Sequence, residues 1–166
     1  MSKACSVPCA IALTDKAKAK QAAKVKQAER KSLREARERI KTRGDHLSEL
    51  QVVFNQWIRL RDEDRPCISC GRYHRGQWHA GHYQGVGREP ALRFEPDNVH
   101  KQCKPCNTDL SGNLIRYRKN LVKRIGLPRV EWLEGPHEPK KYTIAEIQEM
   151  KAFYREQVRL LKRKAA

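Results

Sequence analysis

Apolar residues recur at helical spacing in three separate stretches of this 166-residue chain, and between them the pattern breaks into short glycine-punctuated segments. Leu47, Leu50, Phe54, Trp57 and Ile58 form a strong apolar face that needs a partner, with Gly44 ahead of it and Asp45 as its expected N-cap. The acidic run Asp62-Glu63-Asp64 and Pro66 close that helix. Leu114, Tyr117, Leu121 and Ile125 predict a second helix, with Asn113 placed to cap it and Gly126 and Pro128 placed to stop it. A breaker-rich link through Gly135, Pro136 and Pro139 follows. Thr143-Ile144-Ala145-Glu146 matches a capping box, so a third helix opens there with Ile147, Met150, Tyr154, Val158 and Leu161 on one face.

Residues 14 to 43 read differently. Their apolar positions are mostly alanine (Ala17, Ala19, Ala22, Ala23, Ala28, Ala36) and make only a thin stripe, although helix propensity is high throughout. Between Lys16 and Arg43 there are 12 Lys or Arg against three Glu. Such a segment is either an exposed helix with little tertiary contact or a helix that orders on phosphates, and the two are compatible. Lys16, Lys20, Lys24, Arg30, Arg34 and Arg37 are its expected phosphate contacts. The chain thus divides into a basic helical extension, residues 1–44, and a folded domain, residues 45–166.

Charge supports the phosphate reading. The whole chain carries 36 Lys and Arg against 19 Asp and Glu, a net +17, and neutralising phosphates releases condensed counterions. A membrane surface or an acidic protein also attracts such charge, so the sign alone does not choose. No stretch approaches the ~18 consecutive apolar residues of a spanning helix. The run from Val7 to Leu13 is too short and too broken for a secretory signal, so the expectation is a soluble, cytoplasmic protein without membrane contact, where paired cysteines hold metal more often than they form disulfides.

Two Cys-x-x-Cys pairs, Cys67/Cys70 and Cys103/Cys106, carry the candidate chemistry. Each pair turns two sulfurs toward one ion, which suits a closed, tetrahedral structural Zn²⁺. The 32 residues between the pairs exceed a simple ribbon loop, so something folded sits there. Its glycines (Gly71, Gly76, Gly81, Gly85, Gly87) and aromatics predict a zinc knuckle followed by short strands, giving an α+β fold. Since four sulfurs leave no open position, reactive chemistry falls to His79, His82, Asn98, His100 and Asn107. Phosphodiester cleavage needs a base for water and a cation for the leaving oxygen, and imidazole serves either role. Taken singly, two histidines in a basic domain are more often solvated or zinc-adjacent than catalytic, and the asparagines read as turn residues.

The order Cys-x-x-Cys, His, Asn, Cys-x-x-Cys-Asn resembles the HNH (His-Me) endonuclease superfamily. With Cys67-Ile68-Ser69-Cys70-Gly71, Ala80-Gly81-His82-Tyr83, Leu92-Arg93-Phe94, Asn98-Val99-His100-Lys101-Gln102-Cys103, Cys106-Asn107, Ser111-Gly112-Asn113 and Tyr117-Arg118, residues 47 to 161 resemble the phage NinG (Rap) recombination endonucleases. The resemblance implies a zinc-stabilised strand–strand–helix HNH core with flanking helices and an N-terminal basic helix. It implies His82 as general base, Asn98 as the residue bracing its loop, and Asn107 as ligand of a catalytic Mg²⁺ or Mn²⁺. His79 stands where relatives often carry Asp and becomes the second ligand, which shifts preference from Mg²⁺ toward softer ions. His100 reads as a strand residue.

The implied activity is hydrolysis of branched recombination intermediates, Holliday junctions and D-loops; Lys101, Arg116, Arg118 and Lys119 are further expected DNA contacts, and cutting two strands of a junction symmetrically favours a homodimer. The rival class is a non-enzymatic zinc-finger DNA-binding protein, which has no use for His82. An RNA-binding accessory factor fits less well, because aromatic stacking residues are few. Cys5 and Cys9, the remnant of a knuckle found in longer relatives, cannot close a zinc site alone.

Overall fold

The computed structural model describes residues 6–165, which fall into two compact units divided between Thr42 and Arg43. Cys5 lies outside the described residues; Cys9 sits in the first helical turn as a free thiol.

The first unit is one helix, α1 (Val7–Arg39), with no buried residue. It starts earlier than the alanine-lysine run suggests. Ser6 Oγ accepts from Cys9 N at 3.4 Å, and Pro8 falls in the first turn, where a missing N–H removes no helical bond. Its end also differs from expectation: the break lies at residues 40–42, before Gly44. Gly44 and Asp45 instead belong to the first turn of the next helix, where glycine is tolerated because the early donors are unbonded in any case.

The second unit holds α2 (Arg43–Arg61), a two-stranded sheet, and three further helices, α3 (Leu114–Ile125), α4 (Leu127–Glu134) and α5 (Ile144–Lys164). It is a helix-rich α+β arrangement. Strands β1 (Trp78–His82) and β2 (Val99–Cys103) run antiparallel, pairing His79 with Gln102, Gly81 with His100, and His82 with Val99. This hairpin is the folded element between the cysteine pairs.

The partner that the α2 apolar face requires is α5. Leu50, Phe54 and Ile58 pack with Ile147 and Tyr154, joined by Phe94, Val99 and Tyr142. Phe54 meets Tyr154 edge-on at 4.9 Å between centroids and Phe94 at 5.6 Å, the geometry that aromatic quadrupoles favour. The capping box of α5 forms in both halves: Glu146 N donates to Thr143 Oγ1, and Thr143 N donates to Glu146 Oε2. A second core joins Ile68, Tyr83 and Leu92 to Tyr117 and Leu121 of α3 and Val130 and Leu133 of α4.

α4 is an element the apolar pattern does not announce. Gly126, at φ 84°, ends α3, and Pro128 then starts a new helix rather than a loop. Asn113 precedes α3 in the left-handed region (φ 47°), but its side chain does not cap the helix; its Nδ2 donates to Cys106 Sγ at 3.5 Å.

Candidate metal and catalytic site

Cys67 and Cys70 share a tight turn in which Gly71 N donates to the Cys67 carbonyl at 2.8 Å, with Gly71 at φ 68°, a conformation that favours glycine. Cys103 ends β2, and Cys106 lies in a single π-helical turn, Pro105–Asp109. The four sulfurs lie within 4.8 Å of one another, and Cys70 Sγ to Cys103 Sγ is 4.0 Å. A tetrahedron with bonds of about 2.3 Å has edges of about 3.8 Å, so the set fits a four-sulfur structural metal such as zinc. Donors surround the sulfurs as thiolates require: Cys103 N reaches Cys67 Sγ at 3.4 Å, and His74 Nε2 lies 3.2 Å from Cys70 Sγ. Burial alone would raise the Cys67 thiol, yet backbone N–H groups of Cys103, Cys70 and Ser69 outweigh it and lower it. Burial pushes Cys103 and Cys70 up, and the neighbouring sulfurs add to the rise. Four thiols crowded in this way ionise together only around a cation.

His82 closes β1. Its Nε2 lies 3.0 Å from the Arg93 carbonyl oxygen, which only accepts, so Nε2 carries the proton and Nδ1 keeps its lone pair. Burial lowers its pKa; the Arg93 carbonyl opposes this and the Arg93 charge reinforces it, so the net shift is downward and the ring is neutral at pH 7. Asn98, fully buried, ties the hairpin loop that follows His82: Oδ1 accepts from Gln84 N at 2.7 Å, and Nδ2 donates to the carbonyls of Gln84 (3.0 Å) and Leu92 (3.1 Å). The Asn98 carbonyl also takes the N–H of Tyr83 at 2.8 Å.

His79 and Asn107 are brought together, with His79 Nδ1 2.9 Å from Asn107 Nδ2 although 28 residues separate them. A cleft of about 340 Å³ is lined by His82 and Asn107 with Ala80, Tyr83, Ser111 and Gly112, which puts His82 and Asn107 on the same opening. His100 lies apart, buried in β2 with Nδ1 3.3 Å from Tyr117 Oη. Burial, then the Arg61 charge, lowers its pKa to about 3, so it is a neutral structural ring. Tyr117 in turn donates to the Gly81 carbonyl at 2.9 Å, fixing the strand beside His82.

The basic residues divide. Lys16, Lys20, Lys24, Arg30, Arg34 and Arg37 are exposed along α1, and Arg116 and Lys119 are exposed on α3. Lys101 is turned inward: it is buried, its Nζ donates to the Glu63 carbonyl at 2.6 Å and lies 4.4 Å from the centre of the Trp78 ring. Arg118 is tied to Glu134 by two bonds, of 2.7 and 3.0 Å, and Glu134 also accepts from Tyr83. Strand alternation explains Lys101, since a residue of a covered strand faces a core or a neighbouring element whatever its charge. Gln102, Tyr117 and Arg93 also support the site; all three fall within the motifs that carry the resemblance, but nothing in the sequence pattern gives them a role there. No described helix is long and apolar enough to cross a membrane.

No solved structure shows a significant match. The chain is 42% identical over 123 residues to Protein ninG of Salmonella phage P22 and, over the same length, to Protein ninG of Escherichia phage lambda. Those matches cover 74% of this chain and 61% and 60% of the two relatives, so the chain aligns with about three-fifths of each. The family model described as Bacteriophage Lambda NinG protein matches residues 1–164, and this chain belongs to the NinG family.

Proposed function

We propose that this chain is a metal-dependent endonuclease of the HNH type that hydrolyses phosphodiester bonds in branched DNA during phage recombination, in the host cytoplasm. The observation that carries the proposal is the His82 imidazole, oriented through Nε2 by the Arg93 carbonyl and facing the same cleft as Asn107. A neutral imidazole so held takes a proton from water at Nδ1, and the resulting hydroxide attacks phosphorus in line with the departing 3′ oxygen. Asn98 keeps the loop after His82 in place. His79 and Asn107 would hold the catalytic Mg²⁺ or Mn²⁺, which supplies positive charge to the leaving oxygen. The four cysteines would hold Zn²⁺ as the frame. The basic faces of α1 and α3 suit phosphates, which position DNA without reading its sequence. Symmetric cutting of a four-way junction needs two such sites, hence a homodimer.

The test pairs a gel shift with single-turnover cleavage of one labelled junction in Mg²⁺ and in Mn²⁺. His82→Ala is expected to bind near wild-type affinity and to cut about 10² to 10⁴ times more slowly. Full cutting by His82→Ala, or none by the wild type with intact binding, would leave a non-enzymatic zinc-finger DNA binder as the reading.

A further inference from the structure

Gln102 is wholly buried in β2, yet its Oε1 has no hydrogen-bond donor among the described residues. The amide cannot turn over to remedy this. Its Nε2 donates to the Gly112 carbonyl at 2.6 Å and meets Ser69 Oγ at 2.6 Å, and a carbonyl oxygen only accepts. Oε1 is therefore fixed as an acceptor, and it faces the space above Gly81 that Asn107 also borders. A Cβ built on Gly81 would lie 1.9 Å from Gln102 Oε1 and 2.9 Å from Asn107 Oδ1. Both amide oxygens thus border the space that a side chain at Gly81 would fill, and Gln102 Oε1 there has no donor. On its other side the Asn107 amide turns Nδ2 to His79 Nδ1, at 2.9 Å.

A half-turn of the Asn107 amide exchanges nitrogen and oxygen within nearly the same outline. It turns Nδ2 toward the Gly81 side, where Gln102 Oε1 lacks a donor, and sets Oδ1 beside His79. Only that arrangement serves a cation, because an amide nitrogen has no lone pair to give. We propose that Gln102 is a positioning residue: by accepting from Asn107 Nδ2 it delivers Asn107 Oδ1 beside His79 as an oxygen ligand for a divalent cation. The cation half of this rests on the endonuclease reading; the orientation of Asn107 does not.

Two measurements on the whole 166-residue chain, metal-loaded, test it. In the Mg²⁺-saturated protein labelled with ¹⁵N, the Asn107 side-chain amide protons are expected to show cross-peaks to the Gly81 Hα protons. Cross-peaks to the His79 ring alone would overturn the assignment, whether or not the protein cuts DNA. Titration with Mn²⁺ is the second readout. Gln102→Leu is expected to weaken binding by about 10- to 100-fold, the usual effect of losing a partner that orients a ligand. In an Asn107→Asp background the effect of Gln102→Leu is expected to vanish, since a carboxylate offers two equal oxygens and needs no orienting. Equal weakening in both backgrounds, or a change under twofold in the parent, would refute the role. Gln102→Met repeats the test should the leucine variant not fold, and the cross-peaks decide with no variant at all. A wild type that binds no divalent cation would sink the catalytic reading and leave the Gln102–Asn107 contact to be judged by the cross-peaks.

Discussion

Gly81→Ala is the smallest change the site can receive, and the structure predicts a large response to it. The added methyl would lie 1.9 Å from Gln102 Oε1, where carbon and oxygen normally keep well over 3 Å apart. Something must move by more than 1 Å, and the choices are poor. Gln102 is held by two bonds of 2.6 Å on its nitrogen, and the Gly81 carbonyl accepts from Tyr117 at 2.9 Å, which pins the strand. Overpacking a filled interior costs about 1–3 kcal/mol, and releasing Gln102 forfeits hydrogen bonds of about 0.5–1.5 kcal/mol each. A loss of about 2–6 kcal/mol follows, a large share of a domain's stability. Urea unfolding followed by tryptophan fluorescence reads it directly, with zinc present throughout so that metal loss does not intrude. Adding Gln102→Ala removes the obstructing amide, so the double variant should regain part of the deficit. If Gly81→Ala unfolds within about 0.5 kcal/mol of the parent, the packing described above Gly81 is wrong.

Three more outcomes are expected. Asn98→Ala leaves the Gln84 N–H and two carbonyls without their partner and should cost about 2–4 kcal/mol, seen as a lowered urea midpoint; an unchanged midpoint would mean that the loop does not depend on it. Burial would raise the Asp62 pKa, but the Arg61 fork at 2.9 Å and the Lys101 N–H at 3.0 Å outweigh it, so the folded value lies below the unfolded one. Its contribution is then present above about pH 4 and lost as acid titrates the folded carboxylate, so Asp62→Asn should be weaker at pH 7 and lose less on acidification than the parent. Identical acid profiles for the two would disprove the assignment. Purified protein should carry about one equivalent of tightly held zinc, and a chelator or Cys106→Ser should abolish cooperative unfolding, because metal binding at such a site is folding free energy; a metal-free protein with a sharp transition would contradict it.

The helices were legible because their causes are local. A capping box spans four residues, and an apolar face repeats every three or four, so α2, α3 and α5 follow from the sequence to within a few residues. The cysteine pairs were legible for the same reason, since two-residue spacing confines both sulfurs to one turn. α4 was not, because Gly126 and Pro128 carry the same letters whether they end one helix or also begin the next; burial of Val130 and Leu133 against Tyr117 and Leu121 decides between them. The types of residue at the site were written in the chain, but their use was not. That His82 keeps its Nδ1 lone pair depends on a carbonyl 11 residues away, the tie on Asn98 on Gln84 and Leu92, and the inward turn of Lys101 on Glu63 and Trp78. Hydrogen bonds and close packing act over about 3–4 Å of space, with no regard for separation along the chain. The sequence by itself therefore determined which groups this protein has to work with, and tertiary structure alone decided which of them meet.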